Sequence, residues 1–168
     1  NPLLGHDIVI WPESAIPNYL QRARDFVEPM DKRAAATDTT IITGVPYRPA
    51  GSRSYYNSIT AFGHGQGVYH KQRLVPFGEY VPVLFRLAFT ESLVREVGSF
   101  TAGTSLDPLP ASPRLGVAIC YEVIFADQVA AQARRGAEVL VTLTNDGWYG
   151  FSWAPHQHFA QVRLRAAE

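Results

Sequence analysis

The sequence predicts an α/β protein in which β-strands alternate with α-helices. Two observations lead to this class. Short runs of apolar and β-branched residues recur along the chain, each bounded by Pro, Gly or polar turn-forming residues. Segments with apolar residues at helical spacing lie between several of these runs, and the chain shows no internal repeat.

We predict six strands, the first of which is an Ile-Val-Ile run ended by Pro12. The second strand is β-branched, and the third and fourth are joined by a glycine-rich turn at 63–67. The last two are apolar runs typical of buried strands. The six strands are expected at residues 7–11, 39–46, 55–62, 68–70, 115–119 and 139–144.

Three segments have the spacing of amphipathic helices, and a fourth, shorter one lies in an irregular region rich in Pro and Gly. Pro29 interrupts the first segment, so we expect two helical pieces with a break near Glu28. Gly136 is a typical residue to end the second helix. The helices are expected at residues 18–37, 127–135 and 156–168, and the short one at 83–97.

The composition of the chain excludes several function classes. A sequence of 168 residues with 46% hydrophobic side chains is not a disordered tail. Its 15 basic and 15 acidic residues give a net charge of zero, which argues against nucleic-acid binding by phosphate attraction. A single cysteine excludes an internal disulfide and a multi-thiolate zinc site. The sequence contains no membrane-spanning run, and from its two ends we expect it to be a fragment.

Polar side chains capable of catalysis follow the ends of four predicted strands: Glu13, Lys71, Cys120 and Asn145. In α/β folds, residues beyond the ends of separate strands can converge on one pocket. We therefore expect these four side chains to lie near one another.

Cys120 is the first candidate for catalysis. A buried free cysteine is commonly a small core residue, but Cys120 follows an apolar run and precedes the polar pair Tyr121 and Glu122. A thiol needs a base or a cation nearby to become a strong nucleophile. No histidine has a marked Asn or Asp partner, so a Cys-His-Asn arrangement is not favoured. We place four histidines in turns or on helix surfaces: His64, His70, His156 and His158.

Glu13 and Lys71 are the candidates for the base and the cation. Glu13 follows a buried strand and Pro12 and lies beside the indole of Trp11. In such apolar surroundings a carboxyl group can shuttle a proton near neutral pH. A cation at Lys71 would stabilise a thiolate or an oxyanion. The alternatives are that Glu13 caps the following turn and that Lys71 is a solvated surface charge.

Several motifs resemble the nitrilase (carbon–nitrogen hydrolase) superfamily. They are Trp-Pro-Glu-Ser-Ala-Ile-Pro at 11–17, the segment 70–82 with its Leu-Val-Pro-Phe-Gly-Glu-Tyr-Val-Pro stretch, and Ile-Cys-Tyr-Glu at 119–122. The long stretch, together with Thr-Asn-Asp-Gly-Trp-Tyr-Gly at 144–150 and Ala-Pro-His-Gln-His at 154–158, is similar to the apolipoprotein N-acyltransferase family within it.

This resemblance implies a four-layer αββα sandwich, of which residues 1–168 would form a partial domain lacking the first strand and helix and the C-terminal strands. It implies Glu13 as general base, Lys71 as oxyanion stabiliser and Cys120 as nucleophile. Three residues would support this triad: Glu79, Tyr121 and Glu122. Glu79 would orient Lys71 or an incoming amine, and Glu122 would fix the catalytic loop. The alternatives for the two glutamates are a surface carboxylate and an ordinary loop hydrogen bond.

The resemblance also implies substrates and a location. The acyl donor would be a phospholipid, the intermediate a thioester, and the acceptor the N-terminal amine of a diacylated apolipoprotein cysteine, with no metal or cofactor. The domain would lie on the periplasmic side of the bacterial inner membrane, attached through segments outside this sequence. We expect Phe85, Leu87 and Phe89 to form an apolar arm, with core packing as the alternative, and Trp148 and Tyr149 to line the acyl pocket.

Two other functions remain open from the sequence. The first is a soluble amidase or nitrilase that uses the same three residues, with water in place of the amine. The second is a binding module without activity. A helical membrane region upstream of this sequence would favour the acyltransferase.

Overall fold

The structure is a computed structural model and describes residues 3–82 and 100–168. Each predicted strand is present in these residues, with its ends shifted by at most one position. The strands are β1 (Ile8–Ile10), β2 (Thr40–Tyr47), β3 (Tyr56–Gly63), β4 (Gly67–His70), β5 (Leu115–Ile119) and β6 (Val139–Leu143). The helices are α1 (Arg24–Ala35), α2 (Ala126–Arg134) and α3 (Ala154–Ala167), and shorter 3-10 helices span Leu20–Arg22, Cys120–Ile124 and Asp146–Tyr149.

The strands form two sheets. β1 pairs in parallel with β2, and β2, β3 and β4 follow one another antiparallel, which gives a four-stranded sheet in the order β1-β2-β3-β4. β5 and β6 form a parallel pair. Because β1, β2 and β4 run in the same direction, the chain leaves β1 and β4 at one edge of the first sheet. β3 begins at that same edge, where Tyr56 pairs with Tyr47.

Four layers follow from the alternation of side chains along the strands. Ile42, Ile59 and Ile119 belong to one buried cluster between the two sheets. The neighbouring Ile41 belongs instead to a second cluster, together with Ala34 of α1, on the opposite face of the first sheet. Helices α2 and α3 cover the outer face of β5 and β6, where they line an apolar cavity. This is the predicted αββα order.

The predicted break in the first helical segment lies elsewhere. The interruption is at Ala23, between the 3-10 helix Leu20–Arg22 and α1, and α1 continues through Pro29. Proline removes only the one hydrogen bond that its nitrogen would donate to the carbonyl of Asp25. Both residues are exposed, so water can bind that carbonyl group, and the prediction of a break near Glu28 was wrong.

The predicted short helix at 83–97 lies outside the described residues. In the two stretches that the structure does describe, none of the helices has both the length and the apolar character needed to cross a membrane.

Candidate active site

Glu13 lies in the turn after β1, close against β2. Its backbone is so near Gly44 that a Cβ atom added to that glycine would lie 2.5 Å from the Cα of Glu13 and 2.6 Å from the nitrogen of Ser14. The nitrogen of Gly44 also donates to the carbonyl oxygen of Pro12 over 3.2 Å. The absence of a side chain at residue 44 therefore allows β2 to hold the Glu13 turn.

The carboxylate of Glu13 is held by two donors from distant parts of the chain. The Asn57 amide donates to Oε1 over 2.9 Å, and the backbone N–H of Asn145, just after β6, donates to Oε2 over 2.9 Å. Glu13 is half-buried. It is therefore fixed in orientation by both sheets while part of it stays accessible, and it does more than cap a turn.

Lys71 is buried directly after β4. Its side chain is 1% exposed, and its Nζ donates to Oε1 of Glu79 over 2.9 Å. The same Oε1 accepts the second amide hydrogen of Asn57 over 3.0 Å, and Oε2 accepts from the Val75 nitrogen over 2.8 Å. Lys71 is therefore not a solvated surface charge, because its side chain is buried. Glu79 is not a surface carboxylate, because it is the acceptor that pairs with this buried ammonium group.

Asn57 joins the two carboxylates. Its single NH2 group donates to Glu13 and Glu79, so a hydrogen-bonded chain runs from Glu13 through Asn57 and Glu79 to Lys71. Asn57 is 7% exposed and is the second residue of β3. Our reading of the sequence missed it. The signal that could have revealed it is its position, at the start of an antiparallel strand that begins beside the predicted site.

Cys120 begins the 3-10 helix that follows β5, and its thiol is free. Its φ angle is +50°, in the left-handed region that non-glycine residues rarely adopt. A sharp turn at a strand end directs a nucleophile out of the sheet, which is why strained residues are found at such sites. Cys120 is 9% exposed, at the border of the buried cluster between the sheets.

Glu122 connects the Cys120 turn to the loop that carries Lys71. It is fully buried, and its Oε1 accepts hydrogen bonds from the backbone nitrogens of Gln72 (2.6 Å) and Arg73 (3.1 Å). Its Oε2 accepts from the Ile119 nitrogen over 2.8 Å. The Oε1 atom accepts further bonds from two buried side chains, Tyr69 and Gln128.

The Glu122 carboxylate also influences Tyr69. Burial first, and then the nearby negative charge, raise the pKa of Tyr69 well above its usual value, so its hydroxyl remains a donor.

Of the two aromatic residues predicted to line an acyl pocket, Tyr149 lies beside Cys120. The hydroxyl of Tyr149 is close enough to the Cys120 side chain and to Glu13 for both to act on it electrostatically. Burial, followed by the effect of Cys120, raises the pKa of Tyr149 to about 12. Trp148, in contrast, is 85% exposed.

The other predicted residues divide into two groups. Tyr121 packs edge-on against Phe125 with ring centroids 5.1 Å apart, and both line a cavity of about 670 Å³ together with Tyr80 and Phe100. The three residues of the predicted apolar arm lie outside the described residues: Phe85, Leu87 and Phe89.

His158 is a correction to the predicted positions of the histidines. It is 8% exposed rather than on a helix surface, and its ring contacts Asp146 and the main chain of Cys120. The side chain of Asn145 accepts from the Gly147 nitrogen over 3.3 Å and so shapes the turn after β6. Over residues 3–82 and 100–168, no group of three or more metal-ligating side chains is arranged to hold a metal ion.

Comparison with known proteins decides the family. The profile of the family described as carbon–nitrogen hydrolase matches residues 3–168. The chain belongs to the carbon–nitrogen hydrolase family. This carbon–nitrogen hydrolase chain is similar to proteins named apolipoprotein N-acyltransferase from Methylococcus capsulatus and Pseudomonas putida, each 39% identical over 96% of the chain. It spans 32% and 33% of the lengths of these two relatives.

Solved structures agree on the fold. The carbon–nitrogen hydrolase chain superimposes on Nit3 of Saccharomyces cerevisiae, a member of branch 10 of the nitrilase superfamily, with a TM-score of 0.63 over 95% of its length at 16% identity. It superimposes on a carbon–nitrogen hydrolase from Helicobacter pylori with a TM-score of 0.61 at 19% identity. These matches cover 58% and 57% of the two solved chains.

Proposed function

We propose that this chain is the catalytic part of an N-acyltransferase that moves a fatty acyl group from a phospholipid to the N-terminal amine of a diacylated apolipoprotein cysteine. The observation that carries the proposal is the hydrogen-bonded chain from Glu13 through Asn57 and Glu79 to Lys71. The Glu122 carboxylate connects the loop after Lys71 to the turn that begins at Cys120. The names of the similar proteins support the substrate classes.

The first half of the reaction forms a thioester. Glu13 removes the proton from the Cys120 thiol, and the sulfur attacks the carbonyl carbon of the phospholipid ester. The ammonium group of Lys71 stabilises the tetrahedral oxyanion. The carbon–oxygen bond then breaks, and Glu13 returns its proton to the departing lysophospholipid oxygen.

The second half transfers the acyl group. The amine of the acceptor attacks the thioester carbonyl, and Glu13 accepts a proton from the amine nitrogen. The carbon–sulfur bond breaks, an amide is formed, and the proton on Glu13 goes back to the Cys120 sulfur. Glu13 and Cys120 end the cycle in their starting protonation states, and neither half of the reaction is an oxidation or a reduction. The proposed cycle therefore needs no cofactor.

The supporting residues keep these groups in place. Glu79 pairs with Lys71 and thereby keeps a buried cation within the site. Glu122 ties the Lys71 loop to the Cys120 turn through backbone hydrogen bonds. The Tyr149 hydroxyl, which is close to the Cys120 side chain, donates a hydrogen bond to the sulfur in the proposed site.

The cavity beside Tyr121 is the proposed place for the acyl chain. Its lining is largely aromatic and aliphatic, and its volume of about 670 Å³ is within the usual range for a ligand site. We further propose that the intact protein holds this domain on the periplasmic face of the bacterial inner membrane. The predicted arm residues Phe85, Leu87 and Phe89, and the exposed Trp148, would contact lipid there.

The proposal is tested with the intact protein and a phospholipid donor in the absence of acceptor. Mass spectrometry should find an added acyl mass on the peptide that contains Cys120, and this mass should be absent in Cys120→Ala. Adding a lipopeptide with a free N-terminal amine should remove the mass from the enzyme and place it on the peptide. Release of free fatty acid at the same rate with and without the peptide would instead indicate a hydrolase.

Matched variants test the roles of the base and the cation. Glu13→Gln should slow acyl-enzyme formation by about 10²- to 10⁴-fold, the usual effect of losing a general base. Lys71→Met should slow it by about 10²- to 10³-fold, as for loss of an oxyanion contact. The controls are Glu28→Gln and Lys32→Met, which make the same changes at exposed positions of α1 and should leave the rate unchanged. A wild-type rate in either site variant would refute that assignment.

A further inference from the structure

The strongest feature that the proposed reaction leaves unused is the contact between His158 and the main chain of Cys120. His158 lies on α3, and its Nε2 is 3.0 Å from the carbonyl oxygen of Cys120. A carbonyl oxygen only accepts hydrogen bonds, so Nε2 carries a hydrogen and donates it. With that nitrogen occupied, His158 does not act as the base for the thiol.

The other side of the imidazole ring is held as well. Nδ1 is 3.0 Å from Oδ1 of Asp146, and the hydroxyl of Thr144 donates to the same carboxylate oxygen over 2.7 Å. A ring whose two nitrogens each lie within hydrogen-bond distance of a partner is fixed in rotation. A rigid chain of contacts therefore runs from the end of β6 through Asp146 and His158 to the backbone of Cys120.

The backbone at Cys120 needs such support. A left-handed conformation is unfavourable for a residue with a side chain, and it persists only where the surroundings fix it from several sides. Glu122 holds the N–H group of Ile119 immediately before the turn. His158 holds the carbonyl group of Cys120 itself, so the strained residue is fixed on both sides by buried side chains.

We propose that His158 is a positioning residue for the nucleophile: its hydrogen bond to the Cys120 carbonyl, oriented by Asp146, keeps the thiol directed toward the reacting carbon. The inference rests on the proposed function for the role of Cys120 as nucleophile. It makes His158 a residue that acts through the main chain, without contact to the substrate.

The test measures alkylation of Cys120 by iodoacetamide in the intact protein, at one fixed pH, because this reaction needs neither acyl donor nor acceptor. His158→Leu removes the donor, and we expect a rate about tenfold or more below that of the wild type. His158→Gln can still donate an amide hydrogen to the carbonyl group, and we expect it to recover the rate to within about threefold. His156→Gln, at an exposed position two residues earlier in the same helix, is the matched control and should react at the wild-type rate.

Two results would overturn the inference in variants whose thermal midpoint is preserved. One is a wild-type alkylation rate in His158→Leu, and the other is an equal loss of rate in His158→Leu and His158→Gln. If His158→Leu fails to fold, the alkylation rate of Asp146→Ala tests the same inference. This variant keeps the imidazole but removes the Asp146 contact that orients it. We expect slower alkylation in that variant, and a wild-type rate refutes the positioning role.

The same measurement separates this inference from the function on which it rests. If the acyl mass never forms on Cys120 but the alkylation rates follow the expected order, the acyltransferase proposal fails and the positioning role stands. If acyl transfer is normal in His158→Leu, the positioning role fails and the acyltransferase proposal stands.

Discussion

The perturbation with the most informative outcome is the replacement of Asn57 by leucine. Leucine has the same number and branching of side-chain heavy atoms as asparagine but donates no hydrogen bond, so both carboxylates that share the Asn57 amide lose a partner. Glu13 keeps the Asn145 nitrogen, and Glu79 keeps Lys71 and the Val75 nitrogen. The site therefore loses orientation without losing any group that takes part in the chemistry.

The magnitude can be worked out from these contacts. A hydrogen bond to a charged group contributes about 1.5–3 kcal/mol. Only the bond to Glu13 bears on the orientation of the base. We therefore expect the activation barrier to rise by about 2 kcal/mol, which lowers kcat by about 30-fold. Asn57→Asp should lower kcat further, because it places a third negative charge within hydrogen-bond distance of Glu13 and Glu79.

The assay compares kcat for acyl transfer with stability in urea, using Thr60→Val as the control. Thr60 is buried in the same strand, and its side-chain hydroxyl donates to the Gly67 carbonyl over 3.3 Å, away from the site. We expect Thr60→Val to lose about 1 kcal/mol of stability with kcat unchanged. A folded Asn57→Leu variant with kcat near the wild-type value, or equal losses of kcat in both variants, would refute the orienting role of Asn57.

Three further outcomes are expected. Gly44→Ala should lower kcat with little change in KM, because its Cβ displaces the Glu13 backbone. The control is Gly51→Ala, at φ +73° with nothing near its Cβ, which should cost about 1 kcal/mol of stability and leave kcat unchanged. Burial lowers the pKa of His70, so the unfolded chain binds a proton at a higher pH than the folded chain does. The contribution of neutral His70 to folding stability is complete above about pH 6.5 and is lost as the pH falls through the folded pKa. In urea unfolding at several pH values, His70→Phe should lose less stability on acidification than the wild type. Tyr149→Phe should slow acyl-enzyme formation by about tenfold with the pH profile below about pH 10 unchanged, because a group with a pKa of about 12 stays protonated there.

Most of the fold could be predicted because its strands are short apolar runs with clear stops. The run at 115–119 and the residue after it are examples: the sequence places Cys120 just past the strand, and the structure has it there, at the start of a 3-10 helix. The error at Pro29 arose because proline removes a single hydrogen bond, and its cost depends on whether water can reach the carbonyl group left free. Exposure of that kind is a property of the packed helix, which sequence spacing does not reveal.

The candidate site was predicted less completely. Glu13, Lys71 and Cys120 stand out because all three follow strand ends and lie within the motifs that resemble the nitrilase superfamily. Asn57 and His158 do not stand out, because an asparagine within a strand and a histidine within a helix have many ordinary roles. Their roles depend on pairs of contacts that are 22 to 44 residues apart along the chain, and only the packed structure shows them.

Asn57, Glu122 and His158 are buried polar residues that fix the loops of the site relative to one another. The two sheets meet through apolar side chains, and apolar contact is not directional, so it cannot fix loops from different sheets to a fraction of an ångström. Asn57 links the groups around Glu13 and Glu79, Glu122 links the Lys71 loop to the Cys120 turn, and His158 links that turn to the end of β6 through Asp146. The Glu122 link joins loops of the two different sheets, and the other two links join loops that leave the same sheet. Loss of one link should therefore affect rate more than stability, whereas loss of an apolar residue between the sheets should do the reverse.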